Sequence, residues 1–246
     1  MIRNTVLVIF LGLMSYSAGA SESAESLLSI VSNSGMLNDL APELKVAGTL
    51  TLMSFLPIAL IAMTAFTRII IVLSMLRHAL GLQQTPPNMV ILTLSLFLTF
   101  YTMLPVWEKV EDNAIRPYAA QEIELEAAIE EGAVYVKQFM ISQTREEDFE
   151  AVLSMANATV PNDVENVSFS YLVPAFLLSE LTTAFKIAFV IFIPFLLVDL
   201  VVASVLMSLG MIMLPPISIA LPIKVMLFVL IDGWALVSQS LVSSFS

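Results

Sequence analysis

From Tyr171 to Leu209 the chain runs thirty-nine residues with only three ionic side chains, Glu180, Lys186 and Asp199. As one straight helix this stretch is about 58 Å long at 1.5 Å per residue. The hydrocarbon core of a bilayer is only ~30 Å thick. Pro194, inside IFIPFLL, is therefore expected to kink the helix, or else part of it stands outside lipid.

Three other regions have the same character. Thr49 to Thr67 is uncharged over nineteen residues between Lys45 and Arg68, and apolar-rich sequence continues to Leu76. His78 to Trp107 carries no Asp, Glu, Lys or Arg, but Pro86-Pro87 makes its first third a turn, so the span itself reads as Asn88 to Trp107. The last runs from Ile217 to about Val242. With 58% of residues hydrophobic and 13% charged, the composition is that of a membrane protein. The expected fold is an all-α membrane protein of about four long apolar helices arranged as hairpins, with a small acidic helical insert outside the membrane.

The insert is set apart by its charge. Between Glu108 and Ser168 stand fourteen acidic and four basic residues, a balance of −10 out of −11 for the whole chain. Its apolar positions, Ile123, Ala127, Ile129, Val134, Val136 and Phe139, follow a helical pattern. The acidic run reads as a solvated face, and its sign argues against nucleic acid or anionic lipid as a partner.

Residues 1–20 carry Arg3, an apolar core from Val6 to Met14, and small residues at Ala18 and Ala20, the pattern of a cleavable secretory signal. The competing reading is an uncleaved first helix, for which the core is short. The expected organisation is a signal peptide at 1–20, a mature N-terminal segment at 21–48, a first membrane hairpin at 49–107, a periplasmic insert at 108–170 and a second hairpin at 171–246. A signal peptide puts the insert outside and the 77–87 loop, with Arg77 and His78, inside, in line with the positive-inside bias.

Charges within apolar spans usually mark a pair or a polar pathway, since an unpaired one at mid-bilayer costs at least ~2.5 kcal/mol. The candidates are Arg68, Arg77, Glu180, Lys186, Asp199, Lys224 and Asp232. Two can be matched by spacing. If the chain reverses within SLGMIMLPP, residues 208–216, then Asp199 and Lys224 lie equally far from the tip on opposing arms. They are expected to form an intramembrane ion pair; the alternative is that each faces another neighbour or water. Arg68, Glu180, Lys186 and Asp232 remain as further buried ionisable candidates.

The turn itself, with Gly210, Pro215 and Pro216, has no hydrogen-bonding side chain except Ser208. Met211, Ile212 and Met213 suit a dry constriction, because methionine is flexible and polarizable and apolar rings close pores by excluding water. Ordinary packing is the bland alternative. Catalysis has little support: His78 is the sole histidine and no G-x-S-x-G, phosphate loop or metal-ligand cluster occurs. The chain has no cysteine, and no cofactor or metal is expected. A solute transporter is the rival class, but no convincing internal repeat relates the hydrophobic halves.

Two runs, MTAFTRIIIVLSMLRHALGLQQTPPNMVILTLSLFLTFYTMLPVW and SELTTAFKIAFVIFIPFLLVDLVVASVLMSLGMIMLPPISIALPIKVMLFVLIDGW, resemble the FliP family, the flagellar branch of the type III secretion export-gate proteins. The similarity spans about Leu52 to Trp107 and Tyr171 to Val242. The resemblance implies a homo-oligomeric ring in the bacterial inner membrane and flagellar basal body, completed by FliQ and FliR and working with FlhA and FlhB. Such a ring passes unfolded flagellar export substrates, and its methionine-rich turn forms a gasket matching Met211, Ile212 and Met213. Family members also carry an acid and a base matching Asp199 and Lys224. Two departures stand out: Ile212 occupies the place of a middle methionine and is stiffer at χ1, and Thr182 stands where relatives often carry lysine. The family further suggests that helices such as 171–209 need not cross lipid.

Overall fold

A computed structural model describes Ser54 and residues 61–158, 167–211 and 213–245. The expected signal segment 1–20, the segment 21–48, most of the run 49–60 and Ile212 lie outside the described residues. The chain divides into two compact units, Met1–Ala59 and Leu60–Ser246, and every helix from Phe66 onward belongs to the second.

Among the described residues every regular element is helical. The first, α1, is Phe66–Ala79. It starts just after a turn at residues 63–65, where Thr64 Oγ1 donates to the Ile61 carbonyl at 3.0 Å and accepts from the Phe66 N–H at 3.4 Å. The hydroxyl satisfies backbone groups that the interruption frees. The apolar sequence is therefore interrupted at 63–65, just before α1. At its far end α1 stops at Gly81, whose φ of 79° allows the Gly81 and Leu82 amides to turn back onto the carbonyls of His78 and Arg77.

Helix α2, Asn88–Val110, follows Pro87 and continues through a π-helical turn, Glu111–Ile115, into the short α3, Arg116–Ala119. Its buried stripe includes Ser95, Thr99 and Thr102. Each hydroxyl donates to the carbonyl four residues earlier at 2.7–2.9 Å. A polar group that satisfies itself on its own helix can be buried without a partner elsewhere, and its small size lets helices approach closely.

The acidic insert supplies α4, Leu125–Gln143, and α5, Glu146–Met155. Glu146, Glu147 and Asp148 lie in the first turn of α5, where negative charge complements the helix dipole. The buried side of α4 is Ala128, Gly132, Phe139 and Met140. Ile129 and Val134, expected to face inward, are exposed at 60% and 39%, so the packed face is rotated by about one residue. Phe139 and Met140 enter the same apolar core as α1, α2 and α6. The insert is thus continuous with the core of the long helices.

Helix α6, Phe169–Ser208, runs forty residues with Pro174 and Pro194 inside it. Neither proline divides it, and at 1.5 Å per residue it is ~60 Å long. After the tip come α7, Ile217–Leu230, and α8, Gly233–Ser243. They are bent by 64° at Asp232, which takes the left-handed conformation at φ 51°, a region that Asp tolerates better than most residues. Gly233 follows because the Phe228 ring covers it: a Cβ there meets ring atoms at 2.2 and 2.3 Å.

Two helical stretches are long and apolar enough to cross a membrane, Asn88–Ala119 and Phe169–Ser208, and the bent α7–α8 pair makes a third if taken as one span. The expected count of about four becomes two to three among the described residues. The expected first span, 49–67, lies mostly outside the described residues, and the last segment is broken at the left-handed Asp232.

Candidate gate and its supporting charges

Helix α6 ends in a Schellman stop. The Met211 N–H donates to the Leu206 carbonyl and the Gly210 N–H to that of Met207, both at 3.0 Å. Gly210 holds φ 74°, a conformation that only glycine adopts freely. On the other side Pro216 is the N-cap of α7, with the Ile219 and Ala220 amides returning to its carbonyl. Proline suits this position because a helix start leaves N–H groups unpaired anyway. Both backbone ends are therefore satisfied locally, and the turn needs no polar side chain beyond Ser208, whose hydroxyl donates to the Val205 carbonyl at 2.8 Å.

What the turn presents outward is apolar. Met213 is 98% exposed, and Leu209, Met211 and Leu214 are also exposed. Gly210, Pro215 and Pro216 are exposed as well. Behind the tip, Val202, Leu206 and Ala220 form a small cluster joining α6 to α7.

Beyond that cluster the structure brings Asp199 and Lys224 together, Nζ to Oδ2 at 2.6 Å. Lys224 also donates to the Ala79 carbonyl at 3.3 Å, so the end of α1 joins the pair. Lys224 is buried, whereas the Asp199 side chain is 42% exposed. One ring pair fixes the same register: Phe195 on α6 and Phe228 on α7 are 6.3 Å apart, and both pairs are symmetric about residues 211–212.

A second polar centre was not legible as a unit in the sequence. Arg68 and Glu180, 3% and 0% exposed, form a buried ion pair in which Arg68 Nε donates to Glu180 Oε2 at 2.9 Å. Arg68 Nη2 also donates to Gln143 Oε1 at 3.0 Å. Its Nη1 donates to the Ser244 carbonyl at 3.0 Å and the Ser244 hydroxyl at 3.1 Å. The Phe245 ring centroid lies 3.8 Å from the guanidinium carbon. Every guanidinium donor is thereby used, and α1, α4, α6 and the 244–245 segment meet at one side chain. Gln143, Ser244 and Phe245 carry no sequence signal for this role. Next to the centre, Ser179 accepts from the Arg145 N–H at 2.9 Å and donates to Asp148 at 2.8 Å, fastening α5 to α6.

Two expected buried charges are not buried. Lys186 and Asp232 are exposed. Lys186 falls two residues from buried Ala184 and two from buried Ala188, which on a 3.6-residue turn places it opposite the packed face. Asp232 sits at the bend, and its side chain does not cap α8. In the 77–87 loop, Arg77 Nη1 donates to Asn88 Oδ1 at 2.6 Å and to the Pro86 carbonyl at 3.2 Å.

The geometry is that of a forty-residue helix held by a saturated charge centre toward one end and carrying an apolar tip at the other. Comparison with known proteins agrees with the motifs. The FliP family model matches residues 49–241. The flagellar biosynthetic protein FliP of Pectobacterium carotovorum is 55% identical over 196 residues, covering 80% of this chain and 76% of that protein. Its counterpart in Aquifex aeolicus is 50% identical over 200 residues, covering 80% and 83%. The one in Bacillus subtilis is 47% identical over 196 residues, covering 80% and 89%. The chain belongs to the FliP family.

Proposed function

We propose that this chain is the pore-forming core subunit of the flagellar type III protein export gate, passing unfolded flagellar proteins across the bacterial inner membrane. Its relatives are flagellar biosynthetic proteins, and a role in flagellum biogenesis follows from the family. In this reading several copies form a ring with FliQ and FliR, served by FlhA and FlhB. The tips carrying Met211, Ile212 and Met213 converge on a shared axis and seal it until cargo parts them. Signal-directed insertion would leave the 108–170 insert on the periplasmic side.

The observation that carries the proposal is the tip: a turn satisfied by its own backbone, with Met213 98% exposed, at the end of a hairpin whose register is held by the Asp199–Lys224 pair. Water is a poor solvent for such a surface. An apolar constriction built from copies of it both buries the methionines and excludes ions. The test is the double change Met211→Ala and Met213→Ala. Assembly should be retained while resting cells become leaky to ions, measured as membrane conductance or growth inhibition at raised salt. Unchanged conductance in a correctly assembled complex removes the gasket.

A further inference from the structure

The middle of α6 and the α7–α8 bend expose apolar surface that carries one cation and one anion. Phe185, Phe189 and Val190 beside Lys186 are all exposed, as are Leu230, Ile231 and Leu236 near Asp232. Neither charged side chain makes an ion pair or hydrogen bond within the chain among the described residues. Asp232 is also an N-cap residue whose carboxylate leaves the α8 amides untouched, although capping is the usual use of aspartate at that position. A lone charge on a lipid-facing apolar surface is costly, and two of opposite sign on one molecule invite each other.

The register says where they stand. Asp199 lies opposite Lys224 and Phe195 opposite Phe228, so residues on α6 and α7 equally far from the 211–212 reversal share a level. Asp232 therefore stands near the level of residue 191, five residues from Lys186, a difference of ~7.5 Å along the axis. The flexible lysine stem covers much of that offset. Within one chain the two cannot meet, because Lys186 lies on the face of α6 opposite its packed stripe while the bend follows α7, which packs on that stripe.

We infer that Lys186 of one copy pairs with Asp232 of the adjacent copy, the charge contact that sets neighbour against neighbour in the ring. The pair deepens the proposed assembly and rests on it. Each junction between two copies can satisfy this contact, because the interface is heterologous, Lys186 of one copy meeting Asp232 of the next. The contact adds orientation more than affinity, because opposite charges across an interface fix register and reject wrong alignments.

The absence of cysteine gives a clean background for the test. Two differently tagged full-length chains, one with Lys186→Cys and one with Asp232→Cys, are co-expressed with the other export-gate subunits and treated with a short bismaleimide, which alkylates both cysteine thiols. A 186–232 product several-fold more abundant than either 186–186 or 232–232 is expected. In parallel, Lys186→Asp and Asp232→Lys should each reduce swimming several-fold, and the double exchange should restore most of it. Met213→Cys serves as the independent control. If tips cross-link between copies but 186 and 232 do not, the pairing is overturned and the gate reading stands. If neither cross-links, both fall. A purified complex whose Lys186 is instead protected by anionic lipid, lost on Lys186→Gln, also overturns the pairing.

Discussion

The two halves of α6 are treated differently by the chain that contains them. In the first half Leu172, Ala175, Phe176, Ser179, Glu180, Ala184 and Ala188 are all buried, on a stretch that packs with α1, α4 and α5. Its one ionic pair, Arg68–Glu180, is enclosed and saturated. In the second half only Phe195, Val202 and Leu206 are buried, while Leu196, Leu197, Leu200, Val201 and Val205 are exposed. Its ionic pair is half open, with Asp199 42% exposed. The same helix is thus packed along one continuous face at one end, although Leu178, Leu181 and Phe185 stay exposed there, and only sparsely packed at the other. The first half is stabilised by the chain itself; the second keeps an apolar face that the described residues do not cover.

The strongest way to break this contrast is to remove one partner of the enclosed pair. Glu180→Leu leaves the Arg68 guanidinium buried without its carboxylate, and such losses cost about 3–5 kcal/mol. The purified protein should lose thermal stability and become susceptible to protease between α1 and α6. Adding Arg68→Met should recover part of the loss, because a hydrophobic pair of similar volume tolerates the site. Wild-type stability in Glu180→Leu alone would show that the centre is not a structural anchor.

Asp199→Asn tests the half-open pair, and a smaller effect is expected. Lys224 stays buried but keeps the Ala79 carbonyl and can donate to the new amide oxygen, so the cost should fall near the ~1–3 kcal/mol of an imperfectly satisfied buried group. Exchange of the two, Asp199→Lys with Lys224→Asp, should restore part of the function that either reversal loses, readable as a coupling in a double-mutant cycle of motility. A loss as large as that of Glu180→Leu would contradict the difference between the two halves.

The smallest expected effect belongs to the outward face of the second half. Leu200 is 64% exposed, so Leu200→Ala should change the stability of the isolated chain by no more than about 0.5 kcal/mol, read from its thermal midpoint. The same change should weaken recovery of the assembled complex. A large loss in the isolated chain would mean that the face is already covered.

Much of this organisation is visible in the residues alone, because hydropathy and turn chemistry are local. Length and apolarity mark α2 and α6, Pro86-Pro87 marks the entry to α2, and Gly210 with Pro215-Pro216 marks the reversal. A reversal point constrains what lies equally far on either side, which is how Asp199 and Lys224 could be matched without a structure. Arg68 and Glu180 stand 112 residues apart on segments joined by no single turn, so no such symmetry related them. Exposure of Lys186 and Asp232 was likewise hidden, since a uniformly apolar helix offers no polar face from which to infer its packed side.

By itself the sequence determined that this chain is built of long apolar helices, that its negative charge is gathered in one insert, and that its last hairpin ends in an uncharged methionine turn. Those properties follow from composition and from spacing along a single element. Only the tertiary structure decided that α6 runs unbroken through two prolines, that the last segment bends by 64° at Asp232, and that Arg68 gathers α1, α4 and α6 onto Glu180. These depend on which faces meet across long loops, and the free energy of such contacts has no imprint in local periodicity.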